Sequence, residues 1–290
     1  MRRDAMTSSS IGSKIITILL VIGALTGFCL LAYPVVSDIY ASYENKENIS
    51  KFSSTVSLLD ETEMNAVHDQ AASYNARLAG VTPPVSDIMP YDEQLLYPST
   101  GNDGIMAWVD IPKINVSLPV YHGTDNETLS FGIGHLSSSS LPVGGASTHC
   151  VLTAHSGMTS ASMFDGIRKL SAGDIFSLHV LGGELVYEVQ NSEVVWPDEM
   201  DSLAIVPGLD QVTLMTCTPY GVNDHRLLVH ALRTDKAAPQ ETIVDDAVQS
   251  VSGRTMPFAI ASAIMLAVLL GLIVSAIRSR KRDDVERGQR

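Results

Sequence analysis

Two stretches of the chain are apolar without interruption. The first spans residues 15–33 (IITILLVIGALTGFCLLAY) and the second residues 257–277 (PFAIASAIMLAVLLGLIVSAI). Neither holds a charged residue, and each approaches the ~20 apolar residues a helix needs to cross a bilayer. Between them the pattern changes twice. Over residues 37–80, Leu58, Leu59, Val67, Ala71, Tyr74 and Leu78 recur near helical spacing, which predicts one or two helices stopped at Gly80. Residues 81–103 carry Pro83, Pro84, Pro90 and Pro98 and read as loop. From Gly104 onward short apolar runs alternate with turn residues. Strands are predicted over 105–111, 118–121, 150–154, 175–181, 185–190, 193–195, 211–217 and 226–232, with Gly182-Gly183 as a hairpin turn. A short helix fits 161–170, where Met163, Phe164, Ile167 and Leu170 share one face. Some eight strands with little helix between them predict a mainly β domain, closed as a barrel or packed as a sandwich.

Charge sorts along the same boundaries. Arg2, Arg3 and Lys14 precede the first apolar stretch, and Arg278, Arg280, Lys281 and Arg282 follow the second. The positive-inside rule then predicts two transmembrane helices flanking an outward-facing region, with both termini cytoplasmic. The expected organisation is a cytoplasmic start (1–14), a membrane anchor (15–33), a helical segment and loop (34–103), the β domain (104–235), a linker (236–256), a second span (257–277) and a basic tail (278–290). The first stretch exceeds the 7–15-residue core of a cleaved signal peptide, so it reads as an anchor. Phe28 stands where a lipidated cysteine would have a small residue, so Cys29 reads as a membrane-embedded apolar side chain. The region between the spans holds 10 Lys and Arg against 28 Asp and Glu. A surface that acidic repels phosphate backbones and argues against nucleic acid as a partner.

That region contains two cysteines, Cys150 and Cys217, too few for a disulfide framework, though they leave one pair open. Cys217 closes a β-rich run and is followed two residues later by Pro219, so it sits where a strand meets a loop. It reads either as a nucleophile or as a buried structural thiol. A thiol of ordinary acidity is only a few per cent ionised at neutral pH, so nucleophilic chemistry needs a base or a cation beside it. After a turn at 219–224, Arg226 returns on a strand that a hairpin would lay alongside Cys217. An arginine is no base, but it can face a developing oxyanion; otherwise it is a surface ion-pair partner. His155 ends another apolar strand at a Ser156-Gly157 turn. His225 is its rival, and strand alternation would point it away from the Arg226 face. His149 and Cys150 are adjacent, but no Cys-x-x-Cys or His-Glu-x-x-His spacing supports a metal site.

Thr213-Leu214-Met215-Thr216-Cys217 resembles the Thr-Leu-x-Thr-Cys signature of sortases. Its continuation through Thr218-Pro219-Tyr220-Gly221-Val222-Asn223 to His225-Arg226-Leu227-Leu228-Val229 is similar to class C, the pilin-polymerising sortases. So are Ile111-Pro112-Lys113-Ile114, Leu118-Pro119-Val120-Tyr121-His122-Gly123-Thr124 and Leu152-Thr153-Ala154-His155. The resemblance implies an eight-stranded sortase-type β-barrel preceded by a helical segment, with Cys217, His155 and Arg226 as the catalytic trio and Thr216 as a substrate contact. It implies a transpeptidase that cuts a Leu-Pro-x-Thr-Gly-like sorting signal between Thr and Gly through a thioacyl intermediate, with no metal or cofactor. A pilin lysine then takes the acyl group. The alternatives are a wall-precursor amine as acceptor, or a non-catalytic, membrane-tethered assembly factor. Class C sortases usually carry a lid with an Asp-Pro-aromatic motif. The nearest candidate here is Met89-Pro90-Tyr91, in which methionine replaces the acid and Asp87 falls two residues early.

Overall fold

The protein is described by a computed structural model over residues 3–96, 104–158, 161–237 and 271. It divides into two units, residues 1–37 with 243–290, and Asp38–Thr242. The chain begins in a long helix, α1 (Arg3–Val56), with Pro34 inside it. Its stretch Ile18–Val56 is the one helix among the described residues long and apolar enough to cross a membrane. The second expected span, 257–277, lies outside the described residues apart from Gly271.

In the second unit the end of α1 packs Phe52 and Val56 against Ile105 at the start of the β domain. α2 (Glu61–Leu78) starts in a capping box. Asp60 Oδ1 accepts the Glu63 N–H at 2.8 Å, and Glu63 Oε2 accepts the Asp60 N–H at 3.1 Å. Two orphan donors of the first turn are thereby satisfied. Its buried face, Ala71 and Tyr74 with Val67 alongside, follows the predicted spacing. Asn75 ties the helix to the barrel: its amide donates to the Leu141 carbonyl at 3.1 Å and accepts the Leu141 N–H at 2.7 Å. Gly80, at φ +69, follows the helix in the left-handed region that glycine favours.

Eight strands close into one barrel: β1 (Ile105–Ile111), β2 (Val116–His122), β3 (Ile133–His135), β4 (Thr148–Thr153), β5 (Ile175–Val180), β6 (Gly183–Val195), β7 (Asp210–Thr218) and β8 (His225–Arg233). The order around the barrel is β1-β2-β3-β4-β7-β8-β6-β5. The pairs β2–β3 and β4–β7 are parallel and the rest antiparallel, so the barrel is mixed. A parallel pair needs a crossover, and between β2 and β3 it is the short helix α3 (Asn126–Phe131), capped by Asp125.

The strand count matches expectation, but two assignments differ. The runs 185–190 and 193–195 are one strand, β6, bent where the register slips between Val189 and Asn191. The extra residue shifts the alternation and makes one strand read as two. β3 was missed. It is three residues long, too short for periodicity, and Gly134 is there because a Cβ would collide with the Gly123 carbonyl. The helix expected over 161–170 is a single 3-10 turn, Ile167–Lys169, although Met163, Phe164, Ile167 and Leu170 are all buried. Alternation fills the barrel from Cys150 and Leu152 on β4, Val212 and Leu214 on β7, and Val229 and Ala231 on β8.

Candidate active site

The parallel β4–β7 ladder sets Thr153 opposite Met215. The Ala154 N–H extends it by donating to the Met215 carbonyl at 3.2 Å. Past the end of the ladder, the His155-Ser156 turn stays beside β7, with Ser156 Oγ donating to the Cys217 carbonyl at 2.7 Å. On the other flank of β7, the antiparallel β8 sets Arg226 directly opposite Cys217. Three neighbouring chains thus present the three predicted residues at one end of the barrel, all half-buried.

Their face follows from alternation. Val212 and Leu214 point inward, so Thr213, Met215 and Cys217 point out. On β8, Val229 and Ala231 point inward, so Arg226, Leu228 and His230 point out. Met215 and Leu228 pack with Val151 in a separate outer cluster. Cys150 takes the opposite fate. It lies inside, and burial, reinforced by Asp210, raises its thiol well above the usual range. Both cysteines are free, so the disulfide that the sequence left open does not form.

Local bonds hold each group. Ser156 Oγ donates to the Cys217 carbonyl at 2.7 Å, tying the histidine turn to β7. The same turn is closed by Phe164 N–H on the His155 carbonyl at 3.0 Å and by Gly157 N–H on Asp165 Oδ1 at 2.6 Å. Gly157 has φ +83, and a Cβ there would sit 3.2 Å from the Tyr220 ring. Arg226 Nη1 donates to the Asn223 and His225 carbonyls at 3.2 and 3.0 Å. No carboxylate pairs with Arg226 among the described residues. The rival His225 bonds Asp224 at 2.7 Å and packs on Trp196, with ring centroids 4.1 Å apart.

Two further candidates sit differently from the trio. The Thr216 side chain points inward, is 4% exposed, and donates to the Ala154 carbonyl at 2.7 Å. It fixes the end of β4 to β7 just before His155. Met89 is strapped to α2 by its N–H on Gln70 Oε1 at 3.0 Å, and Pro90 opens the 3-10 turn Tyr91–Glu93. The Tyr91 hydroxyl meets His135 Nδ1 at 2.9 Å and accepts the Gly123 N–H at 3.0 Å. Its ring lies edge-on to His122 and stacked on His135. These contacts set Tyr91 against β2 and β3, and no described contact joins it to Cys217. Among the described residues, no group of three or more His, Cys, Asp or Glu side chains is placed to hold a metal ion.

A thiol, an imidazole and an unpaired guanidinium on adjacent strand ends form a constellation for acyl transfer. The Sortase domain family model matches residues 109–234, the segment that carries all three. Sortase C-1 from Actinomyces oris is 47% identical, and the match covers 61% of this chain and all of that one at a TM-score of 0.54. This chain belongs to the sortase family. Its solved neighbours place it with class C. A second sortase C, from Clostridium perfringens and solved with the C-terminal cell wall sorting motif, is 38% identical over 66% of this chain and 99% of that one, at a TM-score of 0.56. Sortase D of Bacillus subtilis is 32% identical over 124 residues, 42% of this chain and 58% of that protein. The sortase thus spans little more than half the length of that curated relative.

Proposed function

We propose that this sortase is a membrane-anchored cysteine transpeptidase that cuts a Leu-Pro-x-Thr-Gly-like sorting signal between Thr and Gly and joins the Thr to a pilin lysine. The observation that carries the reading is the register: Cys217 opposite Arg226 on one outer face, with His155 brought alongside by the parallel β4–β7 pair. The sorting motif bound to the clostridial relative supports the substrate class.

The Cys217 thiolate attacks the Thr carbonyl carbon, and the oxygen gains negative charge facing the Arg226 guanidinium. Hydrogen-bond donors preset for that charge are worth more in the transition state than in the ground state. The C–N bond then breaks, and the His155 imidazolium gives its proton to the departing glycine amine. A Cys217 thioester remains. In the second half the lysine amine attacks the thioester, His155 takes the proton the amine releases, and the C–S bond breaks to return the thiolate. The pairing of Ser156 with Cys217 keeps donor and nucleophile in step through both halves. The apolar part of α1 is the N-terminal anchor and residues 257–277 the second span, with the barrel outside and both termini in the cytoplasm.

Intact mass spectrometry after incubation with a Leu-Pro-x-Thr-Gly peptide is the test. An acyl adduct on the wild type that is absent from Cys217→Ala supports the reading. No adduct with several sorting motifs refutes it in favour of a non-catalytic tether. Adding a lysine-bearing pilin peptide or a wall-precursor peptide then identifies the acceptor by which product forms. Membrane-impermeant labelling of cysteines placed at residues 5 and 285 checks the topology; labelling of either from outside refutes it.

A further inference from the structure

The outer face that carries Cys217 and Arg226 continues back along β7 and β8 into a chain of hydrogen bonds that the reaction does not use. One step back are Met215 and Leu228; the next are Thr213 and His230. Thr213 is fully buried. Its hydroxyl oxygen lies 2.7 Å from His149 Nε2 and 2.8 Å from His230 Nδ1. At one end of the chain, His149 Nδ1 lies 3.1 Å from the Ala204 carbonyl, in the segment between β6 and β7. At the other, His230 Nε2 lies 3.1 Å from Glu193 Oε1 on β6. A hydrogen bond from Ser202, in that same segment, and the contact with His230 hold the Glu193 carboxyl below its usual range.

The protons of this chain have one self-consistent placement. A carbonyl only accepts, so His149 Nδ1 carries a proton. Burial disfavours a charge on His149, so its Nε2 is a lone pair and takes the single Thr213 hydroxyl proton. The Thr213 oxygen then accepts from His230 Nδ1–H. Glu193, ionised, only accepts, so His230 Nε2 carries a proton too. With both nitrogens protonated His230 is an imidazolium, and Glu193 is its counter-ion. If His230 loses a proton, a lone pair faces either the carboxylate or the Thr213 oxygen, and one link breaks.

Both ends of this chain reach the β6–β7 segment, through Ala204 and Ser202. Leu203 between them packs on the outer cluster of Val151, Met215 and Leu228, directly beside the Cys217–Arg226 pair. We propose that His149, Thr213, His230 and Glu193 are positioning residues: a proton-ordered clamp that fixes the β6–β7 segment as one bank of the groove in which the sorting peptide meets Cys217. The titratable groups facing His230 are His149 from β4 and Glu193 from β6; β7 presents Thr213 and the clamped segment Ser202. The clamp is complete while His230 donates from both ring nitrogens, to the Thr213 oxygen and to Glu193. Its role in the groove rests on the transpeptidase reading above.

The test uses the full chain in detergent micelles, with acylation kinetics on a Leu-Pro-x-Thr-Gly peptide, ring-nitrogen NMR and amide exchange. Glu193→Gln and Thr213→Val are expected to raise KM about tenfold, the scale of one charge-assisted or buried hydrogen bond, while kcat stays within about twofold. Thr213→Ser restores the wild-type KM. Independently of activity, both ring nitrogens of His230 carry protons in the wild type, as the hydrogen bonds to Thr213 and Glu193 require, and amide exchange at 202–205 quickens in Thr213→Val. A singly protonated His230, or unchanged exchange and unchanged KM in both variants, overturns the clamp. If the wild type forms no acyl adduct, the transpeptidase reading fails, and the NMR and exchange results still decide whether the clamp exists.

Discussion

Acidification removes stability from this fold at one identifiable place, the imidazole of His135. That residue is wholly buried on β3. Its Nε2–H donates to the Ser140 carbonyl at 2.8 Å, which leaves Nδ1 as the acceptor for the Tyr91 hydroxyl at 2.9 Å. The neutral ring is therefore satisfied on both sides; a second proton on Nδ1 would turn the Tyr91 hydroxyl to its other acceptor, the His135 carbonyl at 3.1 Å, and would bury a charge. Burial outweighs the Ser140 bond and lowers the pKa to about 4. In the unfolded chain an ordinary histidine titrates near 6.5. Because the folded value is the lower one, the unfolded state takes up a proton first as pH falls. The stability this imidazole contributes is full above about pH 6.5 and is lost as pH falls toward about 4, where the loss reaches about 3 kcal/mol. Burial lowers His122 and His149 in the same direction, so the wild-type slope includes more than one group. The assay is urea unfolding of the full chain in detergent, followed by the fluorescence of Trp108 and Trp196 at about pH 7 and about pH 4.5. Comparison with His135→Gln isolates the one imidazole. The variant is expected to be less stable at neutral pH yet to lose roughly 2–3 kcal/mol less than the wild type on acidification. Parallel profiles for the two proteins would refute the reasoning.

Other perturbations have equally local causes. Arg226→Lys keeps the charge but not the guanidinium geometry beside Cys217, and is expected to lower kcat for acylation by roughly 10²-fold with little change in unfolding midpoint. Gly157→Ala forces φ +83 on a residue with a Cβ and presses it against Tyr220; it is expected to cost about 1–2 kcal/mol and to slow acylation by displacing the His155 turn, read from paired unfolding and rate measurements. Asn75→Ala removes both bonds to Leu141 and leaves its buried N–H unpaired while the carbonyl keeps the Val143 N–H, so urea unfolding should show a loss of about 1–3 kcal/mol with acylation intact at low denaturant.

Much of the architecture was legible because it depends on short-range pattern. Seven of the eight strands lie under apolar runs in the sequence, and the cysteine, arginine and histidine that meet at the barrel end are the ones the motif indicated. What escaped has physical reasons. β3 offers only Ile133-Gly134-His135, with a glycine where the signal would otherwise be read. A bulge broke the alternation of β6. Tyr91, beside a proline in a loop-like stretch, has its place decided by His135 and Gly123, 44 and 32 residues away. Thr216 looks like part of the reactive signature, yet its parity turns it inward. The chain from His149 to Glu193 joins β4, β6, β7 and β8, and no local pattern announces it. Its only hint is a polar residue four positions before Cys217 and another four after Arg226 on the same outer face.

The parallel pairing of β4 with β7 bears on when this protein becomes reactive. His155 and Cys217 are separated by about 60 residues, and β5 and β6 must be threaded between them before their strands can meet. Bringing such distant segments together carries a loop-closure entropy that local contacts do not offset, so this is a late kind of contact to form. The Cys217–Arg226 hairpin, by contrast, closes over nine residues and needs no other strand. A newly made chain therefore pairs Cys217 with Arg226 early, and brings His155 to them only when the barrel seals. On the mechanism proposed above, the half-built enzyme then has no partner to protonate a leaving amine and is chemically quiet toward the peptides around it.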